Sequence, residues 1–220
     1  MHIGIILDGN RRFAKKENKE SWKGHQEGAK RVEDLLNWCK ELEIKQITLY
    51  CFSIENFKRP EKELKFLMKL FKKEFEKLRK DKRLKKDKIK INVFGEKERL
   101  DKGFQKLIKK IEDETKNNNN YIINFAIAYG GRQEILCAIK KLVRERKEIT
   151  EENFKNCLWL KDEPDLIIRT GSEKRSSNFL PWQSTYSEWF FLDKMWPEFT
   201  KSDLEEIIKE FKNRERRFGK

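Results

Sequence analysis

The stretch "IILDGNRRFAKK", residues 5–16, sets three apolar residues directly against an acid, a glycine, an asparagine and two arginines. Ile5, Ile6 and Leu7 read as the end of a buried strand, apolar at consecutive positions because both faces are covered. Asp8, Gly9 and Asn10 are turn formers and end it. Two further strands run into polar loops in the same way. "FSIENFKRP", residues 52–60, follows Ile47–Cys51, and "IIRTGSEKRSSNF", residues 167–179, is itself a strand that opens into a basic, hydroxyl-rich loop.

Working outward, apolar runs of strand length are predicted at Ile3–Leu7, Gln46–Phe52, Ile89–Phe94, Ile122–Ala128, Leu166–Arg169 and Trp189–Leu192. Helical patterns are predicted near Glu27–Leu42, Glu61–Arg83, Lys97–Lys116, Arg132–Arg146 and Glu151–Cys157. A last helix is expected from about Asp203 to Phe218, begun by a capping box of Ser202 with Glu205. This alternation predicts an α/β domain with a mainly parallel six-stranded sheet flanked by helices. No repeat or linker divides the chain, so residues 1–220 are expected to form one domain.

Charged residues are 41% of the 220, yet 16 Phe and 6 Trp supply ample core. The richness in Lys and Glu fits either a thermophile or an AT-rich genome. A net charge of +14 favours anionic partners: phosphorylated metabolites, nucleic acid or an acidic membrane. Half of that excess lies in residues 61–88, with 13 Lys or Arg against 6 Asp or Glu. The apolar positions there, Leu64, Leu67, Met68, Phe71, Phe75 and Leu78, have helical spacing. They read as a core-facing stripe beneath a solvated basic face, or as the wall of a lipid groove whose basic face meets headgroups. The four cysteines form no C-x-x-C pair, which argues against a zinc site or a disulfide framework. With no leader and no long apolar run, a cytoplasmic protein that does not span the membrane is expected.

In an open parallel sheet, loops after strand C-termini gather at one edge, where ligands bind. Each cluster has a plain structural reading: a turn at Asp8-Gly9-Asn10, solvated arginines at 11 and 12, and a helix opened by Pro60 after Arg59. All three falling at one edge favours a polyanion. Arg12, Arg59, Arg169 and Arg175 can grip phosphates through paired donors, and Ser53, Asn56 and Ser177 can add hydrogen bonds. Asp8 among phosphates would repel them unless a cation intervenes, which implies Mg²⁺ held by one carboxylate, phosphates and water. The P-loop and dinucleotide glycine patterns are absent.

Taken together, "DGNRRFAKK", "GHQEGAK", "TLYCFSIENFKRP", "AIAYGGRQEI", "DLIIRTGSEKRSSNFLPWQSTYSEWFF", "WPEF" and "RERRFGK" resemble, in order, the blocks of the cis-prenyltransferases, the undecaprenyl and dehydrodolichyl diphosphate synthases. The resemblance runs from Ile3 to Lys220. It implies a domain with a hydrophobic tunnel, and condensation of an allylic diphosphate with successive isopentenyl diphosphates in Z configuration, giving a long polyprenyl diphosphate for a glycosyl-carrier lipid. By the resemblance, Asp8 would hold Mg²⁺ and assist departure of the allylic diphosphate. Gly9, Asn10, Arg11, Arg12, Phe13 and His25 would bind that diphosphate, along with Ser53, Ile54, Glu55, Phe57 and Arg59. Asn56 would help remove the proton, through water or a phosphate oxygen because an amide is a poor base. Arg169, Arg175, Ser176 and Ser177 would hold isopentenyl diphosphate, and Glu188 matches a second metal-ligand position, reaching the partner's site or acting only with substrate bound. Arg217 and Gly219 match a C-terminal Arg-x-Gly that reaches a substrate site across a homodimer interface.

The chain departs from the bacterial pattern at Arg11 for Gly, Phe13 for Trp and Ser21 for Arg; Arg11 and "FSIENFKR" look more like archaeal or eukaryotic relatives, and Arg11 is expected to compensate for Ser21. With the Arg-x-Gly intact, a self-sufficient archaeal homodimer is expected. The starter is then geranylgeranyl or farnesyl diphosphate. A non-catalytic subunit of a heteromeric enzyme is the alternative, although the retained Asp8, Arg12, Asn56, Arg169 and Arg175 argue against it. Peripheral membrane contact is an expected property. Nucleic acid is not an expected partner, because no aromatic-interleaved basic platform accompanies the charge.

Overall fold

A computed structural model describes residues 1–214. Its sheet has six parallel strands in the order β3-β4-β2-β1-β5-β6. The strands are β1 (His2–Ile6), β2 (Gln46–Ser53), β3 (Ile89–Phe94), β4 (Tyr121–Tyr129), β5 (Leu166–Arg169) and β6 (Glu188–Phe191). Every predicted strand forms, within one or two residues of the expected bounds. All five residues of β1 are buried, as apolar continuity requires of a central strand.

Helices cover both faces: α1 (Asn10–Lys16), α2 (Gly24–Glu41), α3 (Glu61–Arg79), α4 (Lys82–Lys86), α5 (Lys102–Thr115), α6 (Gly131–Arg144), α7 (Glu151–Cys157) and α8 (Lys201–Asn213). The main core lies on one face, where Leu35 of α2, Leu67 and Phe75 of α3, Phe104 and Ile108 of α5 and Leu204 of α8 meet the strands. On the other face Ile6, Tyr50, Phe94 and Ile167 pack with Phe179 and Leu180 from the loop after β5. Phe154 of α7 and Ala138 and Leu142 of α6 build a smaller adjoining cluster.

Several expectations change. The predicted helix Lys97–Lys116 begins only at Lys102, where the Asp101 carboxylate accepts from Phe104 N at 3.1 Å, and the last helix ends at Asn213, before the expected Phe218. Residues 10–16 form a helix and not an open loop. The predicted helix 61–83 stops at Arg79, because Asp81 accepts the Arg83 N–H at 2.8 Å and caps a separate short helix. At α8 the cap is Thr200 and not Ser202: Thr200 Oγ1 accepts from Asp203 N at 3.3 Å, and Asp203 Oδ2 accepts from Thr200 N at 2.8 Å. That reciprocal pair satisfies two N-terminal N–H groups, whereas Ser202 already lies inside the first turn.

β1 sits between β2 and β5. After β1 the chain moves toward β2, and after β5 it moves the other way, toward β6. The loops after β1 and β5 therefore diverge and leave a crevice at the C-terminal edge. Thr200→Ala should lower the unfolding free energy by about 1 kcal/mol. Ser202→Ala should change it by less than about 0.5 kcal/mol. Urea denaturation of the two variants checks which residue caps α8.

Candidate active site

Register fixes the centre of the crevice. Ile6 lies opposite Arg169, so Asp8 and the end of β5 share one rim. Arg169 is 4% exposed and donates from Nη2 to Asp8 Oδ2 at 2.9 Å and from Nη1 to Ser177 Oγ at 2.7 Å. It also donates to the Arg175 carbonyl, while its buried Nε has no protein partner. Arg12, one turn into α1, reaches Asp8 Oδ1 at 3.1 Å. One carboxylate thus holds two guanidiniums from distant parts of the chain.

Two glycines make this approach possible. Gly9 has φ of 104°, and a Cβ there would come within 2.8 Å of the Met195 Cβ. Gly171 has φ of 86°, and its Cβ would lie 2.6 Å from Arg12 Nη2. Only glycine adopts these conformations without strain and leaves that room.

A cavity of about 650 Å³ opens at this rim. Its polar mouth is formed by Asp8, Asn10, His25, Ser53, Glu55, Asn56, Arg59, Arg169, Arg175 and Ser177, and the rest of its wall is mainly apolar, Val32, Phe52, Leu67, Leu70, Phe71, Phe75 and Phe125, with one acid, Glu74. A shallower basin of about 410 Å³ adjoins it, shares Asp8, Asn10, His25 and Arg59, and adds Gly9, Arg11, Arg12, Lys15 and Ser21. Arg11 and Ser21 thus face one hollow, as compensation between them requires.

Glu63, 3% exposed at the start of α3, organises the basin. It accepts from Arg59 Nη1 at 3.0 Å and lies 3.7 Å from Arg11 Nε and 3.9 Å from His25 Nε2. Burial, with Arg59 and Arg11 beside it, pushes the His25 pKa down to about 3, so the imidazole is neutral at pH 7. Asn56 is fixed by the Ser53 N–H, which donates to its Oδ1 at 3.1 Å.

Five candidates lie elsewhere: Phe13, Ile54, Phe57, Ser176 and Glu188 line neither hollow. Phe57 is turned away, edge-on to Phe52 with ring centres 4.9 Å apart and under the Arg99 guanidinium. Arg175 lines the mouth with its guanidinium drawn to Glu173. Glu188 starts β6, at the opposite end of the strands from Asp8, and pairs with Arg214 at 2.7 Å. The two carboxylates cannot share an ion within one chain. Arg217 and Gly219 lie outside the described residues.

Sequence reasoning did not single out Glu63, Thr170, Asn178 or Trp196. Thr170 Oγ1 and Trp196 N both donate to the Asp8 carbonyl, at 2.8 and 2.9 Å. Asn178 ties the loop after β5 to α6, accepting from Gly131 N and Arg132 N. Ser172, Ser177, Asn178 and Leu180 all have positive φ, a strain that this tying holds in place. Only Glu63 carried a usable signal, an acid four residues after Arg59 across a helix start.

Among the described residues no group of three His, Cys, Asp or Glu side chains forms a metal cage. Asp8 alone, at the mouth and 31% exposed, fits an ion that arrives with a diphosphate: the phosphates would take up the guanidiniums and free the carboxylate.

Neither histidine should titrate between about pH 8 and 5.5, since the pKa of His2 is lowered to about 4 and that of His25 to about 3, both by burial. Imidazole NMR shifts across that range check this. The unfolded chain takes up protons near pH 6.5 and the folded one does not. Stability should therefore fall as pH drops from 6.5 toward 4, by about 1.4 kcal/mol per pH unit for each histidine.

Residues 6–219 match the family model described as "Putative undecaprenyl diphosphate synthase". All of the chain aligns, at 47% identity, with 86% of a geranylgeranyl-diphosphate-specific tritrans,polycis-undecaprenyl-diphosphate synthase of Pyrococcus abyssi. The corresponding protein of Methanopyrus kandleri is 44% identical over all of the chain and 84% of its own length. The crystal structure of lavandulyl diphosphate synthase from Lavandula x intermedia, in complex with dimethylallyl diphosphate, superposes with a TM-score of 0.91 at 31% identity, over 100% of this chain and 98% of that one. Sequence, fold and rim agree, and the chain belongs to the cis-prenyltransferase family, the prenyltransferases of the undecaprenyl diphosphate synthase type.

Proposed function

We propose that this chain elongates geranylgeranyl diphosphate with isopentenyl diphosphate in Z configuration, to a product of undecaprenyl length, with Mg²⁺ bound at Asp8. The observation that carries the reading is the Asp8 carboxylate held between Arg12 and Arg169 at the mouth of a cavity that becomes apolar with depth. The specificity of the archaeal relatives supports geranylgeranyl over farnesyl diphosphate as starter.

The basin of Asn10, Arg11, Arg12 and Arg59 binds the allylic diphosphate, and Arg169, Arg175 and Ser177 bind the isopentenyl diphosphate beside it. Bound Mg²⁺ supplies charge neutralisation on the departing diphosphate. The preorganised guanidiniums add to that, at the point where the allylic C–O bond breaks and charge builds on oxygen. Phe52, Phe71 and Phe125 line the depth and keep water from the allylic cation and the lengthening tail. The isopentenyl double bond attacks the cation and then loses a proton. Asn56 cannot accept that proton itself. With its Oδ1 committed to Ser53, its amide N–H orients a diphosphate oxygen that can.

The assembly proposed is a homodimer. Leu136, Ile139 and Val143 are 57%, 44% and 67% exposed along one face of α6, an apolar stripe that a second copy would cover. The product has a long apolar tail and a diphosphate head, which makes the membrane surface its destination and peripheral membrane contact part of this reading.

The test is incubation with labelled isopentenyl diphosphate, Mg²⁺ and geranylgeranyl or farnesyl diphosphate, followed by organic extraction and mass spectrometry. Long-chain product is expected with geranylgeranyl diphosphate preferred, and no extractable label from folded protein overturns the reading. Asp8→Ala should lose about 10³-fold in turnover, roughly 4 kcal/mol in the barrier. The variant should keep its circular dichroism spectrum and melt at a lower temperature, because Arg169 keeps Ser177 and the Arg175 carbonyl but loses its carboxylate while buried. Chelation of divalent ions should abolish product and leave the circular dichroism spectrum unchanged.

A further inference from the structure

Helix α3 has two faces with opposite chemistry. Inward, Leu67, Leu70, Phe71 and Phe75 line the apolar depth of the cavity. Outward, Lys62, Lys65, Lys69 and Lys73 repeat at helical spacing and are all exposed, with the exposed Glu76 on the same face. Lys80, at the end of the helix, and Lys82, Lys85 and Lys86 of the following α4 are exposed as well. A single helix thus separates the space for a lipid tail from a band of positive charge.

Many surface lysines of this chain are neutralised locally. Lys65 pairs with Glu61, Lys72 with Asp101 and Lys77 with Glu33. Lys69, Lys73, Lys80, Lys82, Lys85 and Lys86 have no carboxylate within 4 Å among the described residues. The band holds no exposed aromatic or large aliphatic side chain: those stand elsewhere, at Met1, Leu136, Ile139, Val143, Ile149, Tyr186 and Phe191. Its nearest rings, Phe66 and the Trp22 that lies 4.8 Å from Lys62 Nζ, are half-buried, so bases would find no fully exposed ring to stack on, which disfavours single-stranded nucleic acid. A plane of anionic headgroups asks only for clustered cations.

We infer that the lysine band of α3 and α4 docks the protein on an anionic lipid surface, the wall of the product cavity being the face that meets the membrane. The inference rests on the proposed synthesis of a polyprenyl diphosphate for its purpose, though not for its test. Docked this way, α3 alone would stand between the tail and the bilayer.

The experiment is co-sedimentation of the full chain, without substrates, with vesicles of phosphatidylcholine alone or with about one third phosphatidylglycerol. Binding is expected only to the acidic vesicles, and it should weaken steeply between about 0.1 and 0.5 M salt. A variant with Lys69, Lys73, Lys80, Lys82, Lys85 and Lys86 each replaced by Gln should bind the acidic vesicles at least tenfold more weakly, since each lysine near an acidic surface contributes about fivefold. Its turnover in detergent should equal that of the wild type, because none of the six lines the cavity or the basin. Equal binding to neutral vesicles, or undiminished binding by the variant, overturns the inference. So does single-stranded RNA that binds the wild type as tightly as the acidic vesicles do. Turnover without vesicle binding defeats the docking surface alone, and vesicle binding without turnover defeats the synthase reading alone.

Discussion

The rim of this fold is organised by one carboxylate shared by two guanidiniums. Asp8 ends β1, Arg169 ends β5, and the parallel register that sets Ile6 against Arg169 delivers both to one rim. Arg12 joins from the first turn of α1, which can begin there only because Gly9 takes a left-handed turn against Met195. Without substrate one carboxylate bridges two guanidiniums, and the trio keeps a net positive charge that suits an anion. In the proposed function, two diphosphates would take up the five arginines of the rim and leave the carboxylate to a cation. The apo site is therefore stable and poised by the same groups.

Around that centre the structure divides labour by depth. Charge sits at the strand ends, where loops leave the sheet and backbone groups are accessible. Apolar side chains from α2, α3 and the strand interiors line the space below. Glu63 stands at the border. As a buried acid it holds Arg59 and Arg11 toward the basin, and those same cations help to keep His25 uncharged. The loop after β5 is the most strained part of the rim, with four non-glycine residues at positive φ, and Asn178 fastens it to α6. A loop that must place Arg175 and Ser177 at the mouth pays for its shape with that strain.

Helix α3 shows how one pattern serves two purposes. Its 3.6-residue periodicity is that of any amphipathic helix, and the stripe packs as one would. What distinguishes it is that part of the inner stripe faces a cavity and not solid core, while two of the outer lysines, Lys69 and Lys73, have no carboxylate within 4 Å among the described residues.

The six strands, the long helices and the three polar loops were legible in the sequence because buried parallel strands are apolar at consecutive positions and amphipathic helices repeat every 3.6 residues. So were Asp8, Arg12, Asn56, Arg59, Arg169 and Arg175, through chemistry concentrated at strand ends and through the family's motifs. Local geometry was less legible. The α8 cap at Thr200 competed with a second hydroxyl two residues away, and the break before α4 turned on one Asp81 hydrogen bond. Contacts between residues far apart in the chain left no trace: Thr170 and Trp196 converge on the Asp8 carbonyl, and Phe57 turns from the site toward Phe52. Glu188 shows the limit most clearly, since its motif suggests a metal ligand while its place at the start of β6 sets it at the far end of the strands from Asp8. The sequence by itself determined which residue types end which strands, because that depends on neighbours along the chain. Only the tertiary structure decided which of them meet, because strand order and register bring together positions that sequence distance keeps apart.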